Sequence, residues 1–341
     1  MVFDPVEGVH YPGSTGDFLA WFRSDVDCLD YLSWLRWPNG FVCPTCESVD
    51  GGWKLGDGRF MCSECGARTS VTAGTIFDRT RTPLTVWFHA CWMLTTQKDG
   101  ISAQSLQRVL EIGTYQTAWA MLHRLRSALV RPGRERLTGE VEMDELFVGG
   151  EELGLRGGRQ KGKKVLVGCA VERLHPKGFG RIRMAVLPDA STESLAAFLA
   201  DHVEPGASLI TDGWSAYPGA TKDNYYHLPI VGQPEKLPGV HRATSLLKRW
   251  LLSTHQGSVD REHLPAYLNE FVFRFNRRAS RRRGLLFLRA LEMAVAHEPV
   301  RYRDLVLSEG TTRTVPKPRR PGSHPTSVER LTANRPWRQP L

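Results

Sequence analysis

GEVEMDELFVGG (Gly139–Gly150) decides how the second half of this chain is read. Val141, Met143, Phe147 and Val148 supply the apolar content of a buried β-strand, yet Asp144 and Glu145 stand in its middle, where an unpaired carboxylate is costly to bury. A strand that keeps such a charge implies something that meets it, and the residues downstream offer a partner. KKVLVGCAVER and GRIRMAVLP read as two further strands separated by the turn-forming LHPKGF. TESLAAFLADHV reads as a helix entered between Asp189 and Thr192, and ASLITDGWSAYPG as a short apolar strand ending in Asp212. Three consecutive strands, a helix and a strand with an acid at its end is the order of an α/β, RNase H-like mixed sheet. If the first and fourth strands are neighbours in it, Asp144 and Asp212 meet.

Such a pair has a definite chemistry. Hard Mg²⁺ takes carboxylate oxygens, and two metals roughly 4 Å apart activate an attacking oxygen and stabilise a leaving one in phosphodiester cleavage or transfer. Asp144 and Asp212 are therefore the candidate catalytic residues and Mg²⁺ ligands. Each acid alone suits a turn or a surface; their equivalent places on two strands give them weight.

Upstream, CPTC (Cys43, Cys46) and CSEC (Cys62, Cys65) form a C-x2-C-x15-C-x2-C array. That spacing falls in the range of a four-thiolate zinc site, whose four soft ligands leave no open position for chemistry. Structural Zn on Cys43, Cys46, Cys62 and Cys65 is expected. The intervening ESVDGGWKLGDGRFM carries the turn glycines and aromatics of short hairpins, and the β-prone GARTSVTAGTIFDRTRTP would complete a zinc ribbon. Disulfide pairing fits poorly with a chain of cytosolic character. Cys28, Cys91 and Cys169 stand alone and read as small buried apolar residues.

From Pro83 to Val130 the apolar spacing becomes helical. Thr82 before Pro83 reads as a cap with proline at the first position of PLTVWFHACWMLTTQ, and Ser102 reads as the cap of AQSLQRVLEI. After GT, a third helix, YQTAWAMLHRLRSALV, carries Ala118, Met121, Leu122, Leu125 and Leu129 on one face. Helix, Gly-containing turn, helix follows helix-turn-helix logic, with Tyr115, Gln116, Arg124 and Arg126 off the apolar stripe for groove and phosphate contacts. An ordinary helical connector fits these residues equally well.

The 341 residues suffice for two or three domains, and 41% hydrophobic content for their cores. A formal net charge of +9 favours a polyanionic partner, a merely soluble basic protein being the plain alternative. FRFNRRASRRRG concentrates cations after the acids, as a grip on a phosphate backbone requires, although an arginine run also suits a solvated helix end. MVFDPVEGVHYPG has acids and prolines where a secretion signal needs a basic start and an apolar run, and TVWFHACWML is too short for a bilayer, so a cytoplasmic location is expected.

Taken in order, CPTC…CSEC, SVTAGTIFDRTRTPL, GISAQSLQRVL…TAWAMLHRLR, GEVEMDELFVGG, LITDGWSAY and GVHRATSLLKRWLLSTHQG…HLPAYLNEFVFRFNRR resemble the zinc-ribbon DDE transposases of bacterial insertion sequences, the ISXO-two-like group. The resemblance runs from about Phe18 to Arg278. It implies an RNase H-like catalytic domain, Mg²⁺ dependence, and DNA as partner, with cutting and joining at terminal inverted repeats. A homo-oligomer is implied when two ends are synapsed. Carried over by position, Asp144 and Asp212 match the first two catalytic aspartates, and Lys248 the lysine that closely follows the third ligand. In the family that ligand, a Glu or Asn, lies five residues after a His; here His241 and Lys248 match, but Leu246 holds the place. Leucine cannot bind a metal.

Three explanations stay open: an inactivated copy, substitution by His241, Glu262 or Glu270, or a register shifted from that of the family. Glu270 lies on a helix whose Leu264, Tyr267, Leu268, Phe271 and Phe275 repeat at core spacing, and it reads as structural, paired with an arginine of FRFNRR. The alternatives to a transposase are a noncatalytic DNA-binding regulator derived from one, and a zinc-ribbon transcription factor in which Asp144 and Asp212 do not cluster. The expected organisation is a zinc ribbon over 18–80, a helix-turn-helix-like DNA-binding segment over 81–132 and an RNase H-like DDE domain over 138–280. A C-terminal helical extension over 281–308 and a basic, Pro- and Arg-rich tail over 309–341 follow.

Overall fold

The computed structural model describes residues 4–49, 51–131, 133–149, 164–232, 236–257 and 259–306, so the tail expected over 309–341 lies outside the described residues. The chain divides into two compact units, one formed by residues up to 129 together with those from 280 onward, the other by residues 130–279.

In the second unit, β4 (Glu140–Val148), β5 (Val165–Arg173) and β6 (Phe179–Val186) form an antiparallel meander; α6 (Thr192–His202) follows, then β7 (Ser208–Thr211), the short α7 (Tyr217–Thr221) and β8 (Tyr226–Pro229). The sheet order is β6-β5-β4-β7-β8, with β4, β7 and β8 mutually parallel. Alternation along β4 explains its placement. Val141 and Met143 join Leu195, Phe198 and Leu199 of α6 in one core, while Leu146 and Val148 join a second core under α8 (Pro238–His255) and α9 (Leu264–Asn276). Covered on both faces, β5 is a continuous buried run from Val165 to Glu172, the pattern of an inner strand. Each large apolar side chain so buried contributes roughly 1.5–3 kcal/mol. On α8 the stripe is Val240, Ala243, Leu247, Trp250 and Leu251; on α9 it is Leu264, Tyr267, Leu268, Phe271 and Phe275, as the core spacing predicts.

The first unit begins with α1 (Thr15–Trp21) and α2 (Asp25–Arg36), each opened by a Ser-x-x-Asp capping box, Ser14 with Asp17 and Ser24 with Asp27. The short strands β1 (Gly52–Lys54), β2 (Phe60–Cys62) and β3 (Arg68–Thr69) form an antiparallel sheet. Four helices follow: α3 (Leu84–Thr96), α4 (Ala103–Val109), α5 (Tyr115–Ala128) and, from the far end of the chain, α10 (Arg283–Ala296); α11 (Tyr302–Val306) closes the described residues. Phe287 of α10 packs edge-on to Phe18 (5.5 Å) and Phe88 (5.8 Å), so the C-terminal helix completes the aromatic core of the N-terminal ones. Ser102 caps α4 as expected, and Thr114 caps α5.

Two local expectations are corrected. Thr82 does not cap α3: Pro83 itself holds the cap position without a side-chain bond, and Asp25 Oδ1 accepts the Thr85 N–H at 3.0 Å. Arg124 and Arg126 do not project from α5, since Arg126 is 1% exposed and Arg124 donates Nε–H to the Val300 carbonyl at 2.8 Å. The reason is tertiary: α10 and α11 pack on α5 and cover a side that the isolated helix would leave to water. Tyr115 and Gln116 are exposed.

Candidate active site and thiolate cluster

The paired register of β4 with β7 sets Glu140 opposite Ser208, Val141 opposite Leu209 and Glu142 opposite Ile210. The same offset carried two residues further brings Asp144 level with Asp212, which lies just past the end of β7. Two-residue alternation puts Asp144 on the α8 side of the sheet with Glu142 and Leu146. The electrostatics agree. Burial, and then the charges of Glu145 and Asp212, push the Asp144 carboxyl up to about 6, while a backbone bond from Glu145 and the neighbouring His241 act in the opposite direction. Asp144 Oδ1 accepts the Glu145 N–H at 2.8 Å.

The loop after Asp212 is built to hold that acid in place. Asp212 Oδ1 accepts the Trp214 N–H at 2.9 Å, Thr211 Oγ1 accepts the Gly213 N–H at 3.2 Å, and the Trp214 indole donates to Ala190 O at 3.1 Å. Gly213 has φ +83°, and a Cβ there would stand 2.7 Å from a Val231 methyl, so the turn requires glycine. Tyr217, fully buried, donates its hydroxyl to Glu145 Oε1 at 2.5 Å. That bond ties the loop after Asp212 to the residue beside Asp144.

Glu142 anchors the other side. It has no exposed surface, pairs with Arg173 Nε at 2.6 Å and accepts the Val240 N–H at 3.0 Å in the first turn of α8. A carboxylate on an early helical N–H satisfies an orphan donor and suits the positive end of the helix dipole. Arg173 also donates to the Lys236 carbonyl. The start of α8 is thus fastened to β4 two residues before Asp144. Sequence reasoning missed Glu142 and Tyr217 and named Glu145 without a role; the two-residue spacing of Glu142 and Asp144 was the available sign.

On α8, His241 and Lys248 are exposed, whereas Leu246 is half-buried against the apolar cluster shared with α9. Of the candidate substitutes, Glu262 is exposed ahead of α9, and Glu270 is fully buried and paired with Arg274 at 3.4 Å, within FRFNRR as expected. Other arginines of that run also have internal contacts: Arg277 lies 4.0 Å over the Phe273 ring, and Arg278 lies 4.1 Å over Phe275.

In the first unit, the sulfurs of Cys43, Cys46, Cys62 and Cys65 all lie within 4.8 Å of one another, with Cys43–Cys65 and Cys46–Cys62 at 3.6 Å. A tetrahedral Zn–S bond of about 2.3 Å places ligand sulfurs ~3.8 Å apart, so the cluster has the right size. Burial works against ionisation of Cys43, yet N–H bonds from Cys46 and Thr45 bring its thiol below the ordinary range. Phe41, Phe60 and Trp37 pack beside the cluster, ring to ring at 4.9–5.2 Å. Cys28, Cys91 and Cys169 are free and fully buried, as read from sequence. None of the described helices is long and apolar enough to cross a membrane.

A sheet of this order with an acid pair, and a four-thiolate ribbon ahead of it, define a class that comparison with known proteins names. Residues 136–276 match the ISXO2-like transposase domain, and residues 23–68 match the transposase zinc-ribbon domain. An "Uncharacterized protein in transposable element ISH50" of Halobacterium salinarum is 30% identical over 279 residues, covering 74% of this chain and 91% of that protein. The chain belongs to the ISXO2-like transposase family. The thiolate cluster accordingly supports structural zinc.

Proposed function

We propose that this chain is the DNA transposase of an insertion sequence, binding terminal inverted repeats and catalysing metal-dependent strand cleavage and strand transfer through Asp144 and Asp212. The supporting observation is the β4–β7 register, which levels the two acids, together with the mutual charge that raises Asp144. The donor set fits Mg²⁺: two carboxylates near enough for the charge of Asp212 to act on Asp144, with His241 close by. Bound there, divalent metal supplies activation of the attacking oxygen and stabilisation of the leaving oxygen.

The remaining work falls to the chain itself. Asp144, its carboxyl pushed up to about 6 by burial and neighbouring acids, would hold such a metal together with Asp212. Tyr217 and Glu145 hold the Asp212 loop against β4, and Glu142 holds α8 at the same edge. Lys248, exposed on α8, would meet a phosphate oxygen. DNA synapsis implies a homo-oligomer, and DNA chemistry of this kind a cytoplasmic location.

Leu246 favours a second reading. Where the family carries Glu or Asn, this side chain packs into the core and offers no lone pair, so catalysis by this copy is weakened, and in the limit the chain is a noncatalytic DNA-binding regulator. A duplex carrying the element's end, incubated with the purified protein and Mg²⁺, separates the two. Strand cleavage that Asp144→Asn abolishes with zinc content unchanged supports the enzyme; tight binding without cleavage supports the regulator.

A further inference from the structure

Arg126 of α5 is buried inside the first unit, yet the start of the same helix opens on a cleft whose lining includes Arg124. The cleft encloses about 270 Å³ and is walled by three chain-distant segments: residues 79–82 ahead of α3, the first three turns of α5, and Tyr302 of α11. Arg79, Arg81 and Arg124 line it, with Gln116, Thr117 and Tyr302 between them, and no carboxylate is among its described lining residues. Arg79 reaches its neighbour Asp78 only at 3.9 Å with its side chain 90% exposed, a pair worth little. Arg124 is oriented by its Nε–H bond to Val300 O. Three arginines on the rim of one cleft make it cationic, and the positive end of the 14-residue α5 adds to the same field.

We propose that this cleft is a docking site for a backbone phosphate of duplex DNA, held by Arg79, Arg81 and Arg124. Guanidinium forks match phosphate oxygens bidentately, Gln116 and the hydroxyls of Thr117 and Tyr302 are neutral donors of the kind that fix register on a duplex, and the volume admits a phosphodiester with a flanking sugar. Tyr302 comes from beyond the catalytic domain, so the site exists only when the C-terminal helices fold back on α5. The inference rests on the DNA-binding reading above and adds to it Arg79, Arg81, Thr117 and Tyr302, which that reading does not use.

The test is anisotropy of a labelled duplex titrated with the full chain over a series of salt concentrations, for wild type, Arg81→Ala, Arg79→Ala/Arg81→Ala and Arg81→Lys, with zinc content and circular dichroism as controls of folding. The expected result is a slope of log affinity against log salt that falls by about one unit for each phosphate the variant no longer neutralises, equally on every duplex sequence, and is largely restored in Arg81→Lys. Wild-type slope in the double variant overturns the site while leaving DNA binding intact. Absence of duplex binding by wild type overturns both. Inorganic phosphate, titrated in parallel against thermal stability, distinguishes the source: stabilisation that needs Arg81, with an unchanged DNA slope, assigns the cleft to a small phosphate and overturns the duplex assignment.

Discussion

The thiolate cluster of the ribbon and the acid pair proposed as a metal site are written into the chain in opposite ways. Four cysteines within 23 residues, Cys43 to Cys65, specify their cluster by local spacing, since each knuckle is three peptide bonds wide. Asp144 and Asp212 are separated by 68 positions and are levelled only because β7 pairs in parallel with β4 in one register. A slip of one residue would turn Asp212 to the opposite face. The closed thiolate shell therefore depends on neighbours in sequence, and the open carboxylate site on everything that fixes a strand and its following loop.

That contrast makes graded predictions. Removing zinc by chelation, or substituting Cys62→Ser, should have the largest effect: structural zinc contributes on the order of 10 kcal/mol to folding of such modules, so the ribbon should lose its fold while the sheet of the second unit persists. Metal analysis and proteolysis of residues 37–69 would check this, and a protease-resistant apo-ribbon would blur the contrast. Next, Asp144→Asn should reduce end cleavage by roughly a thousandfold or more in single-turnover assays. Glu142→Gln leaves Arg173 without its charged partner and loosens the start of α8, at a cost of about 3–5 kcal/mol in denaturant unfolding of the second unit. Tyr217→Phe leaves Glu145 without its hydroxyl donor, which should cost about 1–3 kcal/mol and slow cleavage through a displaced Asp212 loop.

The smallest expected effect has a distinctive sign. An acid whose folded pKa lies above its unfolded value loses stability as pH rises between the two, here from 3.8 to about 6. Asp144→Asn should therefore stabilise the metal-free protein above about pH 6, by on the order of 1–2 kcal/mol, and leave it unchanged below pH 3.8. Thermal unfolding across that range reads it directly; a destabilised variant at pH 7 would mean that Asp144 sits in a favourable pairing instead of a strained one.

Much of this is legible in the residues. The meander, α6 and β7 follow from period-two runs with turn residues between them, and the thiolate cluster from spacing alone. What is not legible is set by tertiary contact. β8 carries exposed Tyr226 and Leu228 on an edge, so it lacks the alternation that marks a half-buried strand, and α7 is five residues around Pro218 and Gly219. α1 and α2 do have a sequence signal, Ser14-x-x-Asp17 and Ser24-x-x-Asp27, but the pattern is short and common enough to attract no weight by itself. Arg126 looks solvent-facing on a helical wheel and is covered only because α10 and α11 return from the far end of the chain, which also supplies the Val300 carbonyl that orients Arg124. Leu246 shows the opposite limit: its sequence position flags it by what it replaces, and its half-buried packing supplies the physical reason that it binds nothing.

Divalent-metal binding by the zinc-loaded protein tests the central claim most directly. Calorimetric titration with Mn²⁺ should show a carboxylate site in wild type that is lost in Asp144→Asn and equally in Asp212→Asn, the double variant being no worse than either single one. Retention of that site in either single variant would contradict a shared pocket between β4 and the end of β7.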